Sequence, residues 1–518
     1  MLFKKIIKKQ ISLSLDIAVL LALIIVIFTE IFLVRNSELK NIIPKPVYAK
    51  VSSGHFVLTE NTKICFEPLS DELKANGEYL SDQLYAATGL RLKVIEAKKN
   101  IGDGNILFSI KESDSSLGEE GYKLEIEEDQ LILSANQSAG IFRGIQTIRQ
   151  LLPLSKEKVC EINCGKIKDY PRYQWRGAML DVARHFFGVD EIKRFIDLMS
   201  YYKMNRLHLH LTDDQGWRIF INARPKLTEI GGSSAVGGDK GGYYTQEQFS
   251  EIVAYAKSRY IMIVPEIDMP GHTNAALASY PELNPDNIAP SIYKKTGVGF
   301  SSLSMDKEET FSFIEDVIKE ISAISPAPYI HIGGDEAHST KEADYIKFIE
   351  HVQKIINSHG KRMIGWEEIA HTKLNRDSVV QYWKDKKIAQ KGIDQGAKII
   401  MSPSNKAYLD MKYDKQTPIG LNWAGYISVK DAYVWEPTFE IDGITDEEIL
   451  GVEAPLWTET VRTIDDIEYM AFPRLIGIAE ISWSKQGGRN WEEYRDRLAV
   501  QEKRLDEMGV NYYKSQED

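Results

Sequence analysis

Two carboxylates stand side by side at Asp335 and Glu336, where the apolar run Tyr329-Ile-His331-Ile breaks off at two glycines. Neighbouring carboxylates crowd each other's charge, so one of them holds its proton toward neutral pH and can act as a general acid. His331 and His338 flank the pair. Taken alone, Gly-Gly-Asp-Glu reads more readily as a solvated turn after a strand. What separates the two readings is whether other strand ends in the chain carry similar groups.

They do. Successive short apolar runs end in Asp181 with Arg184-His185, in His208-x-His210 followed by Asp213-Asp214, and in Glu266-x-Asp268 followed by His272. Later runs end in Trp366-Glu367-Glu368, Gln381-Tyr382-Trp383, Tyr408-Leu-Asp410 and Trp457-Thr-Glu459. Core packing does not explain so many acids, which are seldom buried without partners. Carboxylates with a guanidinium (Arg184) satisfy both the donor and the acceptor side of a hydroxyl, which suits a sugar. Trp366, Trp383 and Trp457 offer flat apolar faces for a ring or a small methyl-bearing group. Together with the acid pair, these residues describe a carbohydrate site able to protonate a glycosidic oxygen.

The elements that must position them are legible by period. Eight short buried runs, at 177–182, 206–211, 261–267, 329–332, 362–366, 378–382, 398–401 and 449–456, alternate with amphipathic stretches at 189–202, 246–258, 307–322 and 340–358. This pattern predicts an α/β fold, a (β/α)8 TIM barrel over 169–518, with reactive residues at the C-terminal strand ends. Residues 51–168 mix strand-like runs (105–110, 122–127, 130–135) with helical spacing at 71–88 and 138–152, a small α+β domain. No Gly-x-Gly-x-x-Gly follows an early strand, so a nucleotide site is not indicated.

Residues 1–36 read differently. Lys4, Lys5, Lys8 and Lys9 precede an apolar stretch over 17–34, closed by Arg35. That length predicts a cytoplasmic basic tail and an N-terminal transmembrane helix as anchor, with a cleaved signal peptide as the rival reading, and 37–50 as a linker. Either way the domains that follow are expected outside the cytoplasm. The net charge of -11, with no basic stripe beyond the N-terminus, argues against nucleic acid as a partner. Cys65, Cys160 and Cys164 show no zinc-ligand spacing; the latter two could close a small loop or remain buried thiols.

Four long motifs then carry a resemblance. Arg176-Gly-Ala-Met-Leu-Asp181-Val-Ala-Arg184-His-Phe, Leu211-Thr-Asp213-Asp214-Gln-Gly-Trp-Arg218, Pro265-Glu-Ile-Asp-Met-Pro-Gly-His272 and His331-Ile-Gly-Gly-Asp335-Glu336 together resemble the family 20 glycoside hydrolases, the β-N-acetylhexosaminidases. The likeness runs from about residue 50 to 510 and leaves the N-terminal segment outside. It implies exo-acting, substrate-assisted, retaining hydrolysis, in which the substrate's own acetamide oxygen attacks the anomeric carbon. In that scheme Glu336 is the acid and then the base, Asp335 manages the acetamide N–H, and Tyr408 binds the acetamide oxygen. Trp366, Trp383 and Trp457 wall the acetamide pocket, and Arg184, Asp410 and Glu459 bind ring hydroxyls. Asp213, Asp214, His272 and His331 form a supporting shell around Glu336. No cofactor or metal is expected. The expected partner is a glycan, chitin- or peptidoglycan-derived amino sugar, and family members often pair as homodimers.

Two other readings stay open on the residues alone. One is a non-catalytic cell-surface glycan-binding protein on the same scaffold. The other is a metal-dependent amidohydrolase barrel, because His208-x-His210 at a strand end, with His272 and Asp335, could ligate a metal.

Overall fold

The computed structural model describes residues 38–97, 101–111, 114–154 and 160–515. The chain divides into two compact units. One runs through Tyr170; the other begins at Pro171 and also claims the short segment Ile43–Lys45.

The first unit is an α+β domain. Its strands are β1 (Tyr48–Leu58), β2 (Lys63–Glu67), β3 (Lys93–Glu96), β4 (Asn105–Ser109), β5 (Tyr122–Ile126), β6 (Gln130–Ala135) and β7 (Cys160–Asp169), joined in the order β1-β7-β5-β6-β4-β2-β3. Helices α1 (Asp71–Thr88) and α2 (Ser138–Leu151) pack on each other and on the sheet. The Ser70 side chain caps α1 by accepting from the Leu73 N–H, and Gly89 ends it in the left-handed conformation. All three cysteines are free and buried.

The second unit is a closed barrel of eight parallel strands. They are β8 (Trp175–Asp181), β9 (Arg206–His210), β10 (Met262–Glu266), β11 (Tyr329–His331), β12 (Arg362–Trp366), β13 (Val379–Tyr382), β14 (Lys398–Met401) and β15 (Ile449–Leu456). Closure comes from β15 against β8, with Gly451 opposite Trp175 and Leu456 opposite Leu180. Helices α3 (Val189–Tyr201), α4 (Gln246–Ser258), α5 (Glu308–Ile324) and α6 (Glu342–Ser358) supply the first four crossovers. A short 3-10 segment, Glu367–His371, replaces the fifth, α7 (Lys386–Asp394) supplies the sixth, and irregular chain over 402–448 forms most of the seventh.

Inside the barrel two layers differ in kind. Trp175, Val264, Ile364, Val379 and Ile400 form an apolar plug. Beyond it lies a buried polar layer. The Glu453 carboxylate accepts from Trp175 Nε1 at 2.8 Å and Gln381 Nε2 at 2.9 Å, and faces His208 Nδ1 at 2.9 Å. Glu266 faces His208 Nε2 and His331 Nδ1, each at 2.9 Å, and His210 Nδ1 at 2.5 Å. Burial disfavours charge on His208, but the two carboxylates outweigh it and hold its pKa up at about 9. His208 and His210, both held above their ordinary pKa by these carboxylates, are structural cations that let the acids sit beneath the rim.

One expectation is corrected here. The transmembrane helix at 17–34 and its basic tail lie outside the described residues, and among the described residues no helix is long and apolar enough to cross a membrane. The long helices that are present are amphipathic: α1 and α6 each bury one stripe and expose charge on the other. Over the described residues the fold is therefore a barrel with a small α+β domain and no membrane-spanning helix. Within the expected linker at 37–50, residues 41–47 are irregular chain between two short regular pieces. Glu38–Lys40 form a 3-10 turn, and Tyr48 and Ala49 already pair with Lys168 and Ile167.

Candidate active site

Strand β11 stops at His331 because Gly333 and Gly334 turn the chain with φ of +65° and +93°. At Gly333 an added Cβ would fall 1.8 Å from Asp268 Oδ1, so no side chain fits. The Gly334 carbonyl accepts from Tyr345 Oη at 2.6 Å, and the Gly333 carbonyl from the Trp366 N–H at 2.8 Å. Thus pinned, the turn presents Asp335 and places Glu336 itself at φ +46°, a strained conformation for a side-chain-bearing residue. His272, at φ +55°, reaches over from the loop after β10.

His272 joins the acids to the layer beneath. Its Nε2 lies 3.5 Å from Glu336 Oε2 and 3.7 Å from Asp335 Oδ2, while Nδ1 lies 3.3 Å from Asp213 Oδ1. Asp213 Oδ2 is 2.7 Å from Arg184 Nη2 and 3.0 Å from His210 Nε2. Burial works against a charged His272, yet Asp213 and Asp335 hold its pKa well above the ordinary value. The carboxyls of the pair are pushed apart. Burial, aided by the Glu336 charge and opposed by His272, raises Asp335 to about 6. Burial also pushes Glu336 upward, but the facing His272, Lys384 and Arg184 win and leave it below its usual range.

Aromatic rings make a slot beside the pair. Trp383 and Tyr408 lie nearly parallel, 11° apart in plane and 6.4 Å between centroids. Both rings line the cavity and give it an apolar aromatic wall. Trp423 stands edge-on to both, and Trp457 packs against Tyr408 at 6.3 Å. Glu367 fixes the Trp383 backbone by accepting from the N–H groups of Trp383, Lys384 and Asp385, and Glu368 Oε2 accepts from the Trp383 indole at 3.1 Å.

The opposite side is polar. Arg184 stacks over Trp457 at 4.9 Å, and Asp410 and Glu459 complete the wall. Both carboxylate oxygens of Asp410, Glu459 Oε2, Asp335 Oδ1, His272 Nε2 and Arg184 Nε and Nη1 are buried without a hydrogen-bonding partner in the protein. Burial and the neighbouring Glu459 raise Asp410 well above the ordinary carboxyl range. The loop carrying Tyr408 and Asp410 is held by Arg474. Its guanidinium donates to the carbonyls of Leu409 at 2.6 Å, Met411 at 2.7 Å and Ile427 at 3.1 Å.

These walls enclose a cavity of about 230 Å³ at the C-terminal barrel face. Of the thirteen residues expected from sequence, Arg184, His272, Asp335, Glu336, Trp383, Tyr408, Asp410, Trp457 and Glu459 line it. Trp366 lies behind Trp457, 5.8 Å away, with its indole N–H 3.2 Å from Glu266. Asp213 sits one layer back, under Arg184 and His272. His331 lies deeper still against Glu266, and burial lowers its pKa. Asp214 turns away, accepting from the Asn274 N–H at 2.9 Å and Ser301 Oγ at 2.5 Å. Sequence reasoning missed Trp423, 54 % exposed at the mouth, together with Leu421, Thr296 and Val298. Trp423 lies in irregular chain, where no period marks which face a residue takes.

Metal-ligand types do converge, among the described residues, at His208–Glu266–His331, His210–Glu266–Asp268, Asp213–Asp268–His272 and His272–Asp335–Glu336. In the first three, histidine nitrogens face carboxylates as internal ion pairs. The donors already serve each other there, so these groups do not fit a metal well.

Comparison with known proteins agrees with this geometry. Residues 173–486 match the glycosyl hydrolase family 20 catalytic domain, and residues 39–170 match domain 2 of the same family. A β-N-acetylhexosaminidase of Cellulomonas fimi is 38 % identical over 92 % of this chain and 96 % of its own. The solved family 20 β-N-acetylhexosaminidase of Streptomyces coelicolor A3(2) superposes with a TM-score of 0.89 at 44 % identity, covering 92 % of this chain and 98 % of that one. A mutant Streptomyces plicatus β-hexosaminidase, solved with the product GlcNAc, gives 0.89 at 45 % identity over 92 % and 97 %. With both of its domains matched and its barrel rim built from the residues that carried the resemblance, the chain belongs to glycosyl hydrolase family 20.

Proposed function

We propose that this family 20 hydrolase removes terminal β-linked N-acetylglucosamine or N-acetylgalactosamine, one sugar at a time, with the substrate's acetamide as nucleophile. The observation that carries the reading is the buried Asp335 Oδ1, without a hydrogen-bonding partner, in a cavity also lined by the parallel rings of Trp383 and Tyr408. An acetamide is flat, carries an N–H for a carboxylate and a methyl for an aromatic wall. The GlcNAc held by the Streptomyces plicatus relative supports the same ligand class.

In the first step the protonated Glu336 gives its proton to the glycosidic oxygen as the acetamide oxygen attacks the anomeric carbon. The bond to the leaving sugar breaks and an oxazolinium forms. Asp335 accepts a hydrogen bond from the acetamide N–H and balances the growing positive charge. The Tyr408 hydroxyl donates to the acetamide oxygen and sets its angle of attack. Water then adds to the anomeric carbon while the Glu336 carboxylate takes its proton, and configuration is retained. Arg184, Asp410 and Glu459 hold the ring hydroxyls.

Replacing Glu336 with Gln tests the assignment. Hydrolysis of a chromogenic β-N-acetylglucosaminide is expected to fall by about 10²–10⁴-fold, the range for a lost general acid, while sugar binding survives. Persistence of turnover would remove Glu336 from the role. Equal cleavage of plain β-glucosides would remove the acetamide from the mechanism.

Two coarser matters belong to the same proposal. Action outside the cytoplasm is supported by the lysines and apolar stretch of residues 1–36, and cell fractionation tests it. Pairing into a homodimer rests on family likeness alone, and light scattering tests it.

A further inference from the structure

The cavity wall that bears Tyr408 and Asp410 is irregular chain, held in place from outside the cavity. We propose that Tyr513, which does not line the cavity, is a positioning residue: it clamps the loop that carries Tyr408 and Asp410. The proposal rests on the function given above, in which those two side chains hold the acetamide and the ring.

The loop has little to fix it by itself. Residues 402–448 contain one 3-10 turn, Pro437–Phe439, and otherwise no regular element. Two limbs, 408–413 and 417–421, pair by two backbone bonds: the Leu421 N–H to the Asp410 carbonyl at 2.8 Å, and the Lys412 N–H to the Leu421 carbonyl at 2.7 Å. Tyr408, Asp410 and Leu421 form the cavity end of these limbs. At the far end the chain turns over 414–417, where Asp414 Oδ1 accepts from the N–H groups of Gln416 and Thr417, each at 2.8 Å. Groups that orient a reacting acetamide need firmer support than that.

Tyr513 supplies it at both limb and turn. Its ring stacks on Tyr413, 3.9 Å between centroids and 6° between planes. The Arg474 guanidinium lies 3.7 Å from the same Tyr413 centroid. Two groups so close to one centroid cannot share a face, so Tyr413 is sandwiched between them. The Tyr513 hydroxyl then donates to Asp414 Oδ2 at 2.7 Å. That donation is foremost among those holding the Asp414 carboxyl below its usual range. Tyr513 is moored in turn. Its N–H donates to the Phe472 carbonyl at 3.0 Å, and the Tyr413 hydroxyl donates to the same carbonyl at 2.9 Å.

Movement at Tyr413 is passed to the cavity. Arg474 binds the carbonyls of Leu409 and Met411, so the limb from Tyr408 to Tyr413 shifts as one piece. A cavity of about 420 Å³, bounded by the 414–417 turn and residues 511–514, leaves room for that shift once the ring is gone. The stack and the bond to Asp414 together amount to about a tenfold change in the population of the ordered loop.

The test compares wild type, Tyr513→Phe and Tyr513→Ala on 4-nitrophenyl β-N-acetylglucosaminide at 25 °C, with hydrogen exchange of the same proteins. Tyr513→Ala should lower kcat/KM about tenfold, mostly through KM; Tyr513→Phe, which keeps the stack and loses the bond to Asp414, about threefold. Amides over 408–421 should exchange faster in Tyr513→Ala, and those over 333–336 should not. In a Tyr408→Phe background the further loss from Tyr513→Ala should shrink to about threefold, because the two residues act on one contact. A lower thermal midpoint with KM and exchange unchanged would make Tyr513 a stabilising residue only and overturn the clamp. Where Tyr513→Ala does not fold, Tyr513→Phe decides, and wild-type KM and exchange in that variant would overturn it equally. Failure of the wild type to cleave any N-acetylhexosaminide would strike the parent function instead, and the exchange series would still judge the clamp.

Discussion

Replacing Asp335 with Asn should cripple the enzyme and stabilise it, and the stabilisation should depend on pH. Asp335 is buried, Oδ1 has no partner, and Glu336 adds its charge alongside, so the carboxyl titrates at about 6 against an ordinary 3.8. Below pH 3.8 the folded and unfolded chains both carry the proton, and Asp and Asn behave alike. Between 3.8 and 6 the unfolded chain ionises first, so the wild type loses stability that the amide keeps. Above 6 both states are ionised and the gap is constant. At about 1.36 kcal/mol per pH unit the plateau is about 3 kcal/mol. The attraction of the His272 imidazolium, 3.7 Å away, is already contained in the shifted value, so the gain at pH 7.5 stays at about 3 kcal/mol, or a few degrees in thermal midpoint. Thermal unfolding of both proteins from pH 4 to 8 measures the difference, and hydrolysis of the chromogenic N-acetylglucosaminide measures the loss of rate. A difference that stays flat across the range, or a variant less stable at pH 7.5, would refute the argument that this carboxylate is held in a costly ionised state for catalysis.

The same pair predicts the activity profile. The productive state carries one proton on the two acids, so kcat/KM should be bell-shaped, with its maximum below pH 6 and an alkaline limb near the Asp335 value of about 6, read from initial rates across pH. His272→Asn removes the cation that holds Glu336 down; the acidic limb should move to higher pH in the same assay. Arg474→Met strands the carbonyls of Leu409, Met411 and Ile427; it should raise KM by loosening Tyr408 and Asp410, and lower the thermal midpoint by the equivalent of about 3–5 kcal/mol. Dialysis against a chelator should leave turnover unchanged, and a loss restored by a divalent cation would revive the metal reading.

The barrel was legible because each strand is buried on both faces and each amphipathic helix keeps its period; the eight predicted runs fall on the eight observed strands. The acid pair was legible because two glycines in a β-branched run demand a turn. What escaped was decided by distance in space. Glu453 reads as one more strand residue, yet it shares His208 with Glu266 and so closes the polar layer. Arg474 reads as the start of a helix, and only the fold brings it under the Tyr408 loop. Asp214 stands next to Asp213, but the hairpin of Thr212–Asp213 with Gly216–Trp217 turns the two acids to opposite sides. Trp423 lies in irregular chain, where spacing carries no information about facing.

Proton placement is where sequence and structure pull furthest apart. Adjacent acids announce that one will hold a proton, and the role of general acid assigns it to Glu336. In the free site the environment favours the other carboxyl: Asp335 is the deeper one, while Glu336 is half-turned toward His272, Lys384 and Arg184. Substrate reverses that order by means the geometry supplies. An acetamide N–H against Asp335 Oδ1 stabilises its ionised form, and an apolar ring over the cavity mouth desolvates Glu336 and favours its neutral form. Seating an acetamide-bearing sugar therefore shifts the balance of the proton toward the catalytic acid. A β-glucoside, lacking that N–H, does not supply the same stabilisation of ionised Asp335. Selectivity for amino sugars is thus built into the titration of the pair as well as into the shape of the slot.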